Sequence, residues 1–312
     1  MRKCKFCSAM TGIYMREHHL AVCKNCFPKW FEGRVAETIE RYKMFKKDER
    51  ILLGVSGGKD SLALWQVLIR LGYQADGLYL SLGIKNDNYS LDSKEKCIKM
   101  KEKLGRELYI VDLKNEIEIS IDDARSIHLK TCSICGTVKR YFLNKITREK
   151  AYPVIATGHN LDDEAATLFG NLLRWEESYL RRQYPVISGT NFFARKVKPL
   201  AFMYERQCAI YALTSGIDYI RTECPYSSKA TSISYKENLN QLENRHEGIM
   251  KFFYTNFTNA KKKDNAMMKA EEVEIVSCQI CGEPTTVAVC RFCRIKEKIM
   301  NKKKNETEKR EK

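Results

Sequence analysis

No apolar stretch approaches the roughly eighteen residues that a bilayer-spanning helix needs. The opening MRKCKFC also lacks the apolar core of an export signal. Both absences point to a soluble, cytoplasmic protein with no membrane partner. Acidic residues are in short supply: 39 Asp and Glu face 55 Lys and Arg, a formal net charge of +16. That imbalance suits a polyanionic partner, because lysine and arginine displace the counterions condensed on nucleic acid. No internal repeat is present apart from two cysteine quartets at the ends. A Walker A loop is missing too. Gly54 is followed by only three residues before Gly58-Lys59, and Asp60 stands where Ser or Thr is required.

Cysteine, by contrast, is plentiful. Of thirteen cysteines, ten fall in five Cys-x-x-Cys pairs. A disulfide scaffold does not suit a chain of 312 residues without an export signal, so metal binding is the default. Cys4-x2-Cys7-x15-Cys23-x2-Cys26 and Cys278-x2-Cys281-x8-Cys290-x2-Cys293 each supply the four thiolates of a closed structural zinc site, two Zn²⁺ in all. Gly282 allows a knuckle turn, and His18 and His19 are spare donors beside the first quartet. Redox-active pairs are the rival reading.

Between the quartets, apolar strand-like runs alternate with helical segments. The strands are expected at 51–55, 77–82, 108–113, 153–158 and 218–220. The helices are expected at Ser61–Leu71, Ser93–Leu104, Ile119–Lys130, Gly136–Lys150, Asp162–Arg174 and Tyr204–Ser215, with another from Tyr235 to about Phe257. This is an α/β pattern: a parallel, Rossmann-like sheet with helices on both faces. The expected organisation is an N-terminal zinc module (1–30), a catalytic domain (31–260), a basic linker (261–275), and a C-terminal zinc module with a basic tail (276–312).

The strand ILLGV runs straight into SGGKDS (56–61) and then a helix. Such a passage gathers free backbone N–H groups and the positive end of a helix dipole at one spot, a ready anion site. Gly54, Val55, Ser56, Gly57, Gly58, Lys59, Asp60 and Ser61 are the expected ATP contacts. Close backbone approach comes from the glycines, charge from Lys59, hydroxyls from Ser56 and Ser61, and a Mg²⁺ ligand from Asp60. SGGKDS resembles the PP-loop of the ATP pyrophosphatases, which split ATP between its α and β phosphates.

Three further cysteines carry chemistry. Cys132 and Cys135 stand ahead of a helix, and Cys224 follows the last expected strand. Ligands of open α/β sheets gather beyond the carboxyl ends of the strands, where these thiols and the phosphate loop can meet. They can hold a [4Fe–4S] cluster with one iron lacking a protein ligand, or act as persulfide carrier and resolving thiol. A closed zinc site would need a fourth ligand such as His128. Cys97 and Cys208 read as buried and inert.

Together, SGGKDS, CSICGTVKRY, ATGHNLDDEA, ECPYS and the two quartets resemble the tRNA 2-thiolation enzymes of the TtuA group, related to TtcA and the wobble-uridine thiolases. The resemblance implies a [4Fe–4S] cluster on Cys132, Cys135 and Cys224. It extends the ATP site to Leu80 and Gly158, and gives catalytic weight to Lys139 and Asp163. It also implies adenylation of uridine O2 followed by sulfur transfer, at position 54 of the T loop, with position 34 as the alternative. The sulfur donor would be a ubiquitin-like thiocarboxylate carrier or free sulfide, and the enzyme a homodimer. Independently, Lys139 lies one helical turn beyond Cys135 and so shares its face. Asp162 and Asp163 read as helix caps. Basic residues interleaved with aromatics at 174–185 and 192–199 suit a stacking and phosphate-binding surface for tRNA. A reading from another class remains: a zinc-containing RNA-binding protein with a regulatory nucleotide site.

Overall fold

The computed structural model describes residues 1–85, 88–127, 129–227, 231–263 and 274–310. His128 and residues 264–273 of the expected linker lie outside the described residues. Two short ribbons open the chain: β1 (Arg2–Lys3) with β2 (Met10–Thr11), and β3 (Tyr14–Met15) with β4 (Leu20–Ala21). Helix α1 (Phe27–Arg41) starts directly after Cys26 and buries Phe27, Phe31 and Val35 in the main core, which also takes in Cys4 and Val22 of the ribbons.

The central strands and helices follow in alternation. They are β5 (Arg50–Val55), α2 (Lys59–Arg70), β6 (Gln74–Ser81), α3 (Tyr89–Leu104), β7 (Leu108–Asp112), α4 (Leu113–Ile117), α5 (Thr131–Glu149), β8 (Val154–Thr157), α6 (Leu161–Leu173) and α7 (Glu177–Arg182). Then come β9 (Val186–Ile187), β10 (Arg195–Val197) and α8 (Glu205–Thr214). The sheet order is β7-β6-β5-β8-β10-β9, parallel throughout except for β9 at the edge. Alternation along β5 explains the layers. Ile51 and Leu53 face the core built with α1, α2 and α8, whereas Leu52 faces the core of α5 and the C-terminal module. Both faces are therefore covered, as a parallel sheet requires.

Four expectations change. The expected strand at 218–220 does not form, and β10 takes its place in the sheet. Residues 218–220 instead cross the phosphate loop, where the Ile220 N–H donates to Gly57 O at 2.9 Å and Asp218 pairs with Lys96 and Lys99. The helix expected at Ile119–Lys130 shrinks to a 3₁₀ turn at Asp122–Ser126. There Asp123 accepts from the Ser120 N–H at 2.6 Å and Asp122 from the Lys85 N–H at 3.0 Å, side-chain bonds that compete with helix formation. The helix expected at Gly136 starts five residues earlier, at Thr131, so Cys132 and Cys135 sit on its first turns. The segment Tyr235–Phe257 is split between α9 (Thr231–Arg245) and α10 (Ile249–Lys263), broken where Glu243 takes the Gly248 N–H.

Lys261–Lys263, expected in a solvated linker, finish α10. Lys261 is only 1% exposed, and its ammonium donates to the carbonyls of Leu180, Arg181 and Gln183 at 2.9–3.1 Å. It thereby caps the negative end of α7. The C-terminal ribbon, β11 (Val276–Ser277) with β12 (Pro284–Thr285), leads into α11 (Arg291–Arg310). Phe292 stacks on Tyr141 of α5 with ring centroids 3.6 Å apart.

Candidate active site

The phosphate loop joins β5 to α2 and is shaped by its own hydroxyls. Ser61 Oγ accepts from the Ser56 N–H at 3.1 Å and donates to Gly58 O at 3.1 Å. Gly57 has φ +75°, and a Cβ there would lie 2.5 Å from Ser93 O on α3. Gly158, ending β8, presses against the start of α2, where an added Cβ would lie 2.9 Å from the Ser61 backbone. Both glycines are there because backbone meets backbone.

Beyond the loop opens a cavity of about 410 Å³. Its walls include Gly54 to Ser56, Gly58, Asp60, Ser61, Leu80, Lys139, Gly158 and Asp163. Gly57 and Lys59 are not on that wall. The Lys59 ammonium turns instead to Glu205 (2.6 Å) and Asp60 (3.2 Å). A second lysine, Lys236 of α9, pairs with Asp163 at 2.6 Å and with Glu205 at 3.0 Å. Burial would raise Glu205, but Lys236 and Lys59 outweigh it and hold the carboxyl at about 2. Burial lifts Asp60, with Asp163 and Glu205 adding to the rise against Lys59. It also lifts Asp162 to about 6, although that carboxylate accepts the Glu205 N–H at 2.8 Å. Asp163 closes a capping box with Asn160 at the start of α6, and Asn160 also donates to Asp60 at 3.3 Å. Asp163 is thus both a helix cap and a wall of the cavity.

None of the three central cysteines, from α5 and the segment after α8, is on that wall, but Cys224 and Cys135 are near enough to act on Tyr89, which is. Burial pushes the Cys135 thiol up, opposed by the nearby positive charge of Lys139; Cys224 is near enough to act on Cys132 and Cys135. Cys132 Sγ lies 3.1 Å from Tyr226 O, two residues beyond Cys224. Cys97 and Cys208 are fully buried, apart from the trio.

Among the described residues, only the two quartets bring three or more ligand atoms within 4.8 Å of one another. Their neighbouring sulfurs stand 3.5 Å (Cys7 to Cys23), 3.9 Å (Cys278 to Cys293) and 3.8 Å (Cys281 to Cys290) apart. A tetrahedron of thiolates about 2.3 Å from one ion has edges of about 3.8 Å, so both quartets fit zinc. His18 packs on Trp30 instead and is not needed as a ligand. The sulfurs of the central trio do not all lie within 4.8 Å of one another, wider than the quartets, and three thiolates are the donor set of a [4Fe–4S] cluster with one iron left open.

A PP-loop domain model matches residues 30–229. The tRNA-5-methyluridine(54) 2-sulfurtransferase of Thermotoga maritima is 39% identical over 98% of this chain and 99% of its own length. Its counterpart from Thermus thermophilus is 42% identical over 96% and 93%. The chain belongs to the PP-loop family of tRNA 2-sulfurtransferases. The U34-tRNA thiolase NcsA from Methanococcus maripaludis, solved with its [4Fe–4S] cluster, shares the sulfurtransferase fold with a TM-score of 0.78 at 24% identity, each chain covered to 96%.

Some of the sulfurtransferase's site residues are invisible to sequence reasoning. Glu205 and Lys236 bridge Lys59 to Asp163 from helices late in the chain, and no motif marks them. Arg140 lines the cavity beside Lys139. The run Lys139-Arg140 signalled charge there without saying which side chain faced inward.

Proposed function

We propose that this enzyme uses ATP to replace O2 of uridine 54 in the tRNA T loop with sulfur. One observation carries the reading: the phosphate loop and Lys139 of α5, one turn beyond Cys135, wall the same cavity. The uridine O2 attacks the α-phosphorus of ATP and pyrophosphate leaves. A sulfur nucleophile then adds at C2, and AMP departs with the former O2. Adenylation matters because it turns a poor leaving group into a good one.

The chain's residues divide this work. Backbone N–H groups of Gly58, Asp60 and Ser61, with the hydroxyls of Ser56 and Ser61, hold the phosphates. Asp60 is placed to hold Mg²⁺ against them. Lys139 offsets charge developing on the adenylate, and its charge also acts on Cys135 on the sulfur side. Asp163 orients the cavity wall through Asn160 and Lys236. Cys132, Cys135 and Cys224 would hold a [4Fe–4S] cluster, which supplies an iron not ligated by protein for sulfur delivery. The two quartets would hold structural Zn²⁺.

Position 54 is supported by near full-length identity of 39% and 42% to enzymes named for it, against 24% to the position-34 thiolase. Free sulfide or a thiocarboxylated ubiquitin-like carrier would supply sulfur, to a homodimer in the cytoplasm. Among the described residues no helix is long and apolar enough to cross a membrane. The test is anaerobic incubation with ATP, sulfide and unmodified tRNA, followed by nucleoside mass spectrometry and iron analysis. A 2-thiolated uridine and AMP are expected. An active preparation without iron would transfer the role of the trio to persulfide chemistry, and no thiolation by an intact, ATP-binding protein would sink the reading.

A further inference from the structure

The geometry points to a cationic track of Arg140, Lys196 and Arg291 beside the cavity mouth, which seats the phosphate backbone of the RNA that enters it. The inference rests on the chain acting on tRNA, and it assigns the surface that does the holding.

The three cations come from distant parts of the chain. Arg140 lies one turn past Gly136 on α5; its guanidinium would stand 3.4 Å from a Cβ at that glycine, and both residues line the cavity. Lys196 comes from β10, with its ammonium 5.7 Å from the ring of Phe193, which shares a groove with Asn144 and Arg148 of α5. Arg291 stands between Cys290 and Cys293 of the C-terminal quartet, and donates to Ser133 Oγ at 2.8 Å, next to Cys132. They feel one another: besides burial, Arg291 holds Arg140 below its ordinary value, and Arg140 does the same to Lys196.

Among the described residues, no carboxylate lies within 4.0 Å of any of the three. Some neighbouring cations are paired, Arg148 with Glu283, Arg195 with Glu49 and Lys198 with Glu164, whereas among the described residues Lys139, beside Arg140 on the cavity wall, also has no carboxylate within 4.0 Å. Cations left without carboxylates at one edge of a cavity suit an external anion.

The surroundings fit RNA in particular. Arg140, Asn144 and Arg148 recur at four-residue spacing and so form one stripe of α5. Asn144 and Arg148 line a second, open groove of about 530 Å³ that also takes in Phe192 and Phe193. Asn144 Oδ1 is buried there without a hydrogen-bond partner. Tyr179, within electrostatic reach of Arg140, and Phe192, in the same groove as Asn144, are 57% and 48% exposed. Cations for phosphates and aromatics for bases are the two components of a surface for unpaired nucleotides.

The test is binding of unmodified tRNA to the full-length protein across a salt series, with R140Q, K196Q and R291Q, and with K99Q on α3 as a charge-removal control. Each track variant should flatten the slope of log affinity against log salt by about 0.7 to 0.9. The ratio of affinities at 50 and 200 mM salt should then shrink about threefold per variant. K99Q should leave both unchanged, and R140K should restore the slope lost in R140Q. K196Q, whose sequence neighbours include no cysteine, carries the test if another variant folds poorly. Track variants with wild-type slopes would overturn the inference even if the enzyme thiolates tRNA. If those slopes are unchanged while activity with a protein sulfur carrier falls, the track belongs to an acidic protein instead. Flattened slopes in a protein that thiolates nothing would uphold the track and sink the catalytic reading.

Discussion

Replacing Gly57 with alanine separates two costs that the phosphate loop imposes. At φ +75° an L-residue sits in the left-handed region, which costs about 1–2 kcal/mol. The added Cβ would also lie 2.5, 2.8 and 3.0 Å from the O, Cα and C of Ser93, all of them backbone atoms. No rotamer change relieves that contact, so overpacking adds about 1–3 kcal/mol. Two other glycines isolate the terms. Gly105 has φ +60° with open space around it, so G105A bears only the backbone cost. Gly158 has no positive φ, but its Cβ would lie 2.9 Å from Ser61 N and Cα, so G158A bears only the contact. The sum for G57A, about 2–5 kcal/mol, falls on a loop that can shift more easily than the sheet can. It should therefore appear mainly as weakened ATP binding, roughly 30-fold or more at about 1.4 kcal/mol per decade. Calorimetric ATP titration and thermal melts of the three variants provide the measurement. Wild-type ATP affinity in G57A, or an equal loss in G105A, would refute the reasoning.

Three further outcomes follow from the side-chain network and the modules. Glu205 titrates at about 2 against an ordinary 4.5, so its contribution is complete above pH 4.5 and fades as the pH falls toward 2. Discounted for solvent screening, that is about 2 kcal/mol, and E205Q should show a flatter acid-unfolding curve across this window; parallel curves would contradict it. K261M should leave three carbonyls at the end of α7 without their donor, lowering stability by about 2 kcal/mol or more and speeding amide exchange around Gln183. Unchanged exchange there would show that the capping is idle. C290S should lose one of two zinc ions by metal analysis and lower the melting temperature, because the Phe292–Tyr141 stack depends on that knuckle; a variant with full zinc content would contradict the ligand assignment.

Much of this was legible because the relevant signals are local. A buried strand, a glycine turn and a helix in direct succession define the phosphate loop, and thiolate quartets define the zinc modules. Signals that depend on partners far along the chain were not. ARKV reads as a basic surface, yet three of its residues form β10, because only Val197 among them is buried and carries the apolar signal. The Ile119–Lys130 run has helical periodicity, but two aspartates bond local or distant donors and hold it in a turn. Lys261 looks like part of a charged linker until the carbonyls at the end of α7 are in place around it. Lys59 was expected on phosphate. The structure pairs it with Glu205, a residue 146 positions away that no spacing rule connects to the loop.

The central claim is that ATP activation and sulfur delivery meet in one cavity and act on a single uridine. Its most direct test maps the sulfur by mass spectrometry of nuclease fragments, after reaction of anaerobically purified protein with ATP, sulfide and unmodified tRNA. The account predicts one sulfur-for-oxygen replacement in the T-loop fragment at position 54, lost when Cys224 is changed to alanine. Sulfur at position 34 would contradict the target, and a C224A protein that thiolates as well as wild type would contradict the site.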